Sequence, residues 1–460
     1  MREPAFQTLA RPQPMALAGK RVLVLGLGDT GLSVVRWVAA QGALARAADP
    51  RAAPPRAADL GAGAEVATGE FAPALLDGVD LLCISPGLSL EEPVVREALA
   101  RKIPIVGDIE LFAWDVRSRS RANVLAITGT NGKTTVTALT AHLLRSAGID
   151  CEAAGNIGPP ALDALAKRHD AAPAAWVLEL SSYQLETTWS LEPDAAALLN
   201  VSEDHLDRYA GIDEYAAAKA RVFSGNGVQV LSRDDPRSMA RALPGRRVVT
   251  FGLDAPGAVG DFGLDGGWLV RGSERILRID ELPIFGRHNA ANALAACALA
   301  LCSGASSASL AAGLRTFRGL PHRLERVAVR RGVVWYDDSK GTNVGATIAA
   351  LAGLDRKAVL IAGGEGKGQD FSALRPAVQA HATCVLLIGR DAALIERALA
   401  GTAVPLEHCA SIDAAVRRAA GAAAAGEAVL LSPACASFDM FRDYKHRGEM
   451  FTAAVRALGA

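Results

Sequence analysis

Aromatic residues make up only 5% of this 460-residue chain, and neither sign of charge is in excess, with 49 basic and 49 acidic side chains. No dense block of Lys and Arg exists. Without a basic stripe or interleaved stacking rings, no nucleic-acid partner is expected. Long apolar runs are also missing. Stretches such as Ala290–Cys302 fall short of the ~20 residues a bilayer span needs, so no membrane insertion is expected. Cysteine is sparse: seven residues, odd in number, scattered, with no CxxC spacing. That argues against a disulfide framework and for a reducing, cytoplasmic setting. Met1–Pro14 carries Arg2, Glu3 and Arg11 and no apolar h-region. No secretory leader is expected here, and residues 1–15 are expected to be a disordered lead-in.

What the chain does have is half its residues apolar and 45 glycines. Its length exceeds one core and suggests two to four domains. Short β-rich runs alternate with Ala/Leu-rich helical stretches, the pattern of parallel α/β layers. Strands are predicted at Arg21–Leu25, near Ala45–Ala48, at Leu81–Ser85 and Ile103–Val106 in a first unit. A second unit carries Val124–Thr128, Trp176–Leu180, Ala196–Asn200, Val228–Ser232 and Arg247–Phe251. It also has a hairpin, Trp268–Val270 with Ile276–Ile279, and a long helix, Asn289–Leu301. A third unit carries Val333–Asp337, Ala358–Ala362, Cys384–Ile388 and Ala428–Leu431. Three consecutive α/β domains follow, with boundaries expected at 1–107, 108–319 and 320–460.

The most telling stretch is Ile127-Thr-Gly-Thr-Asn-Gly-Lys-Thr-Thr135. It follows an apolar run and precedes a helical segment, Val136–Ser146. Strand, glycine turn, Gly-Lys-Thr and helix form a phosphate cradle, with N–H groups of Gly129–Thr135 turned to phosphate oxygens. Lys133 supplies a mobile charge for β/γ-phosphates, and the Thr134 hydroxyl suits Mg²⁺. The first glycine of the usual pattern is Ile127 here. The central unit is therefore expected to be a P-loop-type ATPase domain.

A second glycine turn, Gly26-Leu-Gly-Asp-Thr-Gly31, follows the first strand, and Asp49 lies about twenty residues on. This is the dinucleotide-binding layout of a Rossmann-like domain. A tight turn that binds nothing is the plain alternative, and the motif alone would also suit a nicotinamide dehydrogenase. Such an enzyme leaves Gly-Lys-Thr unexplained. Two nucleotide sites, one for ATP, suggest ATP-driven chemistry on a nucleotide-linked substrate.

Several polar residues stand at strand ends. Glu179 ends an apolar run, where a carboxylate can hold Mg²⁺ or cap the next helix. His205 lies in the cluster Asn200–Asp207 and can ligate metal, contact phosphate or mark a solvated turn. Lys219, in an alanine-rich helix, reads as a surface lysine by composition. Asn289 and Asn292 share a helix face and suit an adenine edge or a cap. Arg323, Asp338, Lys340 and Thr342 lie near the start of the third unit. Lys367, in a glycine-rich loop, is a candidate anion clamp, and Ser437 sits at a βα junction.

Taken together, GLGDTGLS (26–33), ITGTNGKTT, LELSSYQLE (178–186), NVSEDHLDRY (200–209), AAKARVF (217–223), GRHNAANALAA (286–296), GLPHRLE (319–325), DDSKGTN (337–343), GGEGKGQDFS (363–372) and LLSPACASFDMF (430–441) resemble the Mur ligases of peptidoglycan synthesis. The likeness spans nearly the whole chain from Gly19. Its N-terminal turn and SPACAS segment point to the member that adds D-glutamate to UDP-N-acetylmuramoyl-L-alanine. The resemblance implies a cytoplasmic, monomeric enzyme using ATP and two Mg²⁺ ions, with a Rossmann-like third domain. It implies that Gly129–Thr135 and Arg323 hold the ATP phosphates, Asn289 and Asn292 the adenine, and Asp338 the ribose. Thr134, Glu179, His205 and a carbamylated Lys219 would hold the metals. Gly28, Thr30, Asp49, Ser85, Gly87 and Asn156 would line the UDP-sugar site. Lys340, Thr342, Lys367, Ser437, Phe438 and Tyr444 would surround the amino acid. Pro50, where a threonine is usual, and Tyr444, where a phenylalanine is usual, depart from the pattern.

Overall fold

The computed structural model describes residues 6, 9–61, 65–205 and 208–458. Its strands form three sheets. The first contains β1 (Arg21–Leu25), β2 (Leu44–Asp49), β3 (Glu65–Thr68), β4 (Leu81–Ile84) and β5 (Ile105–Val106), ordered 3-2-1-4-5 and parallel throughout. The second contains β6 (Asn123–Thr128), β7 (Cys151–Gly155), β8 (Ala175–Glu179), β9 (Ala195–Leu198), β10 (Val228–Ser232), β11 (Val248–Phe251), β12 (Phe262–Asp265), β13 (Trp268–Arg271) and β14 (Glu274–Arg278). Its order is 14-13-12-11-10-9-6-8-7. The third contains β15 (Glu325–Arg330), β16 (Val333–Asp337), β17 (Ala358–Gly363), β18 (Ala382–Ile388), β19 (Leu406–His408) and β20 (Ala428–Leu431), ordered 15-16-20-17-18-19.

Each sheet has a point where successive connections leave to opposite sides. In the first sheet β1 lies between β2 and β4, and in the second β6 lies between β8 and β9. Loops beyond the carboxyl ends of such strands diverge and leave a crevice for ligands. Helix α1 (Asp29–Ala40) follows β1, and α2 (Lys133–Ser146) follows β6. Further along, α3 (Ile212–Ala220), α4 (Arg287–Cys302), α5 (Val344–Gly353) and α6 (Tyr444–Ala457) carry other residues named above.

The apolar pattern explains β6. Its side chains alternate between faces, as in any strand. Val124 and Ala126 enter one core, while Leu125 and Ile127 enter another. A strand covered on both faces must be apolar throughout, which is why it reads as an unbroken run. The first of these cores is continuous with that of the β1–β5 unit, running from Val22 to Trp176 and Tyr215. The third sheet has separate cores on its two faces. The first two sheets are thus joined by packed apolar surface, and the third is not.

Two expectations need correction. Of the expected disordered lead-in, residues 1–5, 7 and 8 lie outside those described, but Phe6 and Leu9 are buried, with Arg221 stacked 5.8 Å from the Phe6 ring. Five strands were also not anticipated: β3, β7, β12, β15 and β19. Several are short, and β3 and β15 are mostly polar or exposed.

Candidate active site

Gly129 to Gly132 wrap the end of β6. Gly129 has φ 155° and Gly132 φ 84°, the latter as N-cap of α2. A Cβ at Gly132 would meet Asn292 Oδ1 at 2.5 Å, and one at Gly129 would meet Leu199 Cβ at 3.0 Å. Both positions therefore need glycine, for conformation and for space. Asn200 clamps the loop: its Oδ1 accepts from the Asn131 N–H at 2.8 Å, and its amide donates to the Asn131 carbonyl at 3.1 Å. Thr130 Oγ1 donates to the Ser202 carbonyl at 3.2 Å. The loop is rigid before any phosphate arrives.

Lys133 Nζ folds back over this loop and donates to the carbonyls of Gly129 and Thr130, both at 2.8 Å. Lys219 Nζ donates to the same Gly129 oxygen at 2.9 Å and lies 4.4 Å from the Tyr215 ring. Lys219 is 1% exposed. The surface position expected from its alanine-rich helix is wrong, because α3 packs that face inward. Burial, followed by the nearby Lys133 cation, pushes the Lys219 pKa well below its ordinary value, which favours a neutral amine. Burial also lowers the pKa of Lys133, with Glu179 and Asp204 opposing.

Glu179 ends β8 and is 1% exposed. Asn156 donates to its Oε1 at 2.6 Å, while its Oε2 is buried with no partner among the described residues. An ionised oxygen left so is costly unless a cation or hydrogen-bond donor satisfies it. His205 adopts φ 57°, and its Nδ1 is 2.7 Å from the Tyr183 hydroxyl, leaving Nε2 on the other edge, 3.7 Å from Asp204. A hydroxyl, a carboxylate and an imidazole around a phosphate loop suit a divalent cation. The amine of Lys219, as a hydrogen-bond donor, does not suit one until it is converted to an anion.

The third sheet closes over this loop. Arg323 donates from Nη2 to Thr134 Oγ1 at 2.5 Å, and Asn343 donates to Asn131 Oδ1 at 3.0 Å. Beside these contacts lies a cleft of about 380 Å³ that is lined by Asn131, Gly132, Thr135, Asn289, Asn292, Arg323, Asp338 and Lys340, among others. Asn289 donates to the Phe285 carbonyl at 2.6 Å and accepts from Asn292 at 3.1 Å. Burial raises the Asp338 carboxyl to about 7, against hydrogen bonding from Ser432. Burial likewise lowers Lys340 to about 8, and its ammonium stands 4.0 Å over the Tyr444 ring. A smaller cavity of about 200 Å³ joins His205 to Lys367. Ser437 is buried, and Phe438 is 66% exposed. Thr342 lies in the loop after β16, where its N–H bonds the Lys340 carbonyl.

The other glycine turn bounds a third cavity, of about 450 Å³, with Gly28, Thr30, Asp49, Ser85 and Gly87 in its wall. A Cβ at Gly31 would sit 1.8 Å from the Gly26 carbonyl oxygen, so the turn requires glycine there. Asp49 is fully buried. It accepts from the Leu27 N–H at 2.7 Å and from Arg51, whose guanidinium forks onto both oxygens at 2.8 and 2.6 Å. That pairing holds its pKa down near about 2.

Comparison with known proteins decides the family. Residues 20–107 match the Mur ligase MurD-like N-terminal domain, 127–300 the Mur ligase middle domain, and 322–435 the Mur ligase glutamate ligase domain. The chain belongs to the Mur ligase family. It is 56% identical to a UDP-N-acetylmuramoylalanine–D-glutamate ligase of Aromatoleum aromaticum, over 96% of this chain and 98% of that one. It is 55% identical to the protein of that name in Nitrosospira multiformis, over 97% of each. Solved structures share the fold at lower identity. MurF from Acinetobacter baumannii gives a TM-score of 0.62 at 19% identity, covering 96% of this chain and 91% of that one. UDP-N-acetylmuramate–alanine ligase from Thermotoga maritima gives 0.60 at 19%, covering 95% and 99%.

For this Mur ligase, the fold brings Lys133, Thr134, Glu179, His205, Lys219, Arg323 and Lys340 around one phosphate loop. Asn156 is not among the residues that line the glycine-turn cavity. It belongs to the central sheet and touches Glu179. Residues that sequence reasoning gave no role are Asn200, Asn343, Tyr183 and Arg51. The first three lie inside quoted motifs, but only the fold shows their partners. Arg51 had no signal beyond its place two residues after Asp49.

Proposed function

We propose that the chain joins D-glutamate to UDP-N-acetylmuramoyl-L-alanine, driven by ATP, in cytoplasmic peptidoglycan precursor synthesis. The observation that carries this reading is the cleft where phosphate loop, unpartnered Glu179 oxygen and third-sheet cations converge, beside a separate glycine-turn cavity. The three units take the roles of UDP-sugar domain (1–107), ATP domain (108–319) and amino-acid domain (320–460), in a chain that works as a monomer.

A carboxylate is a poor electrophile, so amide formation needs activation. Transfer of the ATP γ-phosphoryl group to the L-alanyl carboxylate gives an acyl phosphate and ADP. The glutamate amine attacks its carbonyl carbon, and phosphate leaves. Lys133 and Arg323 neutralise charge on the transferring group. Asn289 and Asn292 face adenine, and Asp338 the ribose. Two Mg²⁺ ions, held by Thr134, Glu179, His205 and carbamylated Lys219, supply further charge neutralisation when bound. Lys340, Thr342, Lys367, Ser437, Phe438 and Tyr444 receive the amino acid. Closure of the third domain keeps water from the acyl phosphate.

The test is phosphate release from ATP with UDP-N-acetylmuramoyl-L-alanine and a panel of amino acids of both configurations. Release that requires the UDP-sugar and is strongest with D-glutamate is expected. Release with another amino acid instead, or none with any, would reject the reading.

A further inference from the structure

Arg208 takes no part in the chemistry described above, yet it links two sites. Its Nη1 donates to the Leu88 carbonyl at 2.7 Å. Leu88 closes the loop Ser85–Leu88, which lines the glycine-turn cavity. The other arms of the guanidinium fork onto Glu186, with Nε to Oε1 at 3.2 Å and Nη2 to Oε2 at 2.5 Å. The guanidinium plane lies 4.2 Å from the Tyr183 ring centre. Tyr183 in turn holds His205 Nδ1 at 2.7 Å. Glu186 is 3% exposed, Arg208 is 14% exposed, and Tyr209 adds a hydroxyl to Glu186 Oε1 at 2.6 Å.

We propose that Arg208 is a positioning residue that sets the distance between the UDP-sugar loop Ser85–Leu88 and the Tyr183–His205 edge of the phosphate site. The reasoning is geometric. A substrate that spans both cavities must place its carboxylate at the phosphoryl group while its nucleotide end stays in the first domain. Misplacement by an ångström costs such a reaction about 10²-fold. Ser85 already fixes one end of the loop, donating to the Gly26 carbonyl at 2.8 Å. Leu88 is the other end, and Arg208 reaches its carbonyl from the central domain. Only a planar fork can bind a carboxylate with two arms, keep one N–H for a carbonyl and stack on a ring. A lysine ammonium has donors but no planar fork, so it cannot grip the carboxylate with two parallel arms or stack flat on the ring.

The inference rests on the ligase reading, and the test separates the two. The unaltered full-length chain is first assayed for UDP-N-acetylmuramoyl-L-alanine-dependent phosphate release, and failure there rejects the ligase reading itself. Arg208→Lys is then compared with it. Titration calorimetry measures UDP-N-acetylmuramoyl-L-alanine binding without ATP, and steady-state assays give KM for each substrate. About tenfold weaker UDP-sugar binding, a matching rise in its KM and a fall in kcat are expected together, with KM for ATP within about twofold. A role in stability alone would reduce the active fraction, and so kcat, without moving KM. Arg208→Ala leaves a buried carboxylate unpaired and can lose the fold. If it folds by circular dichroism, added methylguanidinium is expected to restore part of the UDP-sugar affinity. Unchanged UDP-sugar binding in Arg208→Lys, or an equal loss for UDP-sugar and ATP, overturns the proposal.

Discussion

At the scale of single residues, Lys219 shows how far environment can alter a side chain. Two lysines donate to one carbonyl oxygen, Gly129 O, and neither has a carboxylate as a direct hydrogen-bond partner among the described residues. Burial and the neighbouring cation both favour the neutral amine at Lys219. A neutral amine is the form that can add CO₂ and become an anion. Lys219→Ala is therefore expected to be nearly inactive and partly restored by formate or acetate. Lys219→Arg is expected to be inactive and not restored, since a fixed cation still fills the site. Full activity in Lys219→Arg would remove the carbamate from the mechanism. On the proposed role of Lys133 as a charge for the transferring phosphoryl group, Lys133→Ala is expected to fold normally, as checked by circular dichroism, and to lose about 10³-fold or more in phosphate release. Asp338 gives a pH test. Its folded pKa of about 7 lies above the ordinary carboxyl value. Between pH 4 and 7 the folded state keeps a proton that the unfolded chain has lost, so the contribution of Asp338 to stability falls as pH rises through 7. Denaturant unfolding without nucleotide should show Asp338→Asn gaining on the unaltered chain across that window, with no further gain above about pH 8.

At the scale of elements, each loop that matters follows a strand, and a glycine shapes its turn. Gly31 opens α1 against the Gly26 carbonyl, and a methyl group has no room there. Gly31→Ala is expected to raise KM for the UDP-sugar by about tenfold or more while KM for ATP stays within about twofold, because the second turn is built on a different sheet. Equal changes in both would mean that the two turns are not independent. The long periodic elements were legible in the sequence. Val228–Ser232, Val333–Asp337 and Ala428–Leu431 fall on the observed strands to the residue. Apolar residues at strand spacing leave no other way to be buried in a parallel sheet. β3 and β19 were not legible, because edge strands carry polar or exposed side chains and draw their order from a neighbour's hydrogen bonds.

At the scale of the whole molecule, the first two sheets share a continuous apolar core, while the third keeps its own cores and meets the central sheet across the cleft at the phosphate loop. Apolar contact over that area resists separation, whereas a few hydrogen bonds to water-accessible groups do not. The third domain is thus expected to be the one that moves. Asn343 is a latch: it donates to Asn131 at 3.0 Å while its Oδ1 caps α5 by accepting from the Ala346 N–H at 2.8 Å. Asn343→Asp keeps the cap, removes the donor and sets a second carboxylate near Asp204, whose Oδ2 is 3.4 Å from the Asn343 amide. Small-angle scattering is expected to show a larger radius of gyration than in the unaltered chain, and turnover to fall by about tenfold or more. An unchanged radius with unchanged turnover would show that this contact does not hold the cleft closed.

The sequence by itself determined the α/β class, both glycine turns and the phosphate loop, since these depend on local spacing and on backbone conformations only glycine adopts readily. It also carried the motifs that mark the Mur ligase family. Only the tertiary structure decided which side chains meet. Lys219 is surface-like in its own helix and buried once that helix packs beside the phosphate loop. Asp49 is held by Arg51, Asn156 turns to Glu179, and Arg208 reaches Leu88 across 120 positions of chain. Such contacts are made by polar residues without periodicity, and most of them join positions far apart in sequence. Their partners are fixed by the sheets that bring loop ends together, and no local pattern records them.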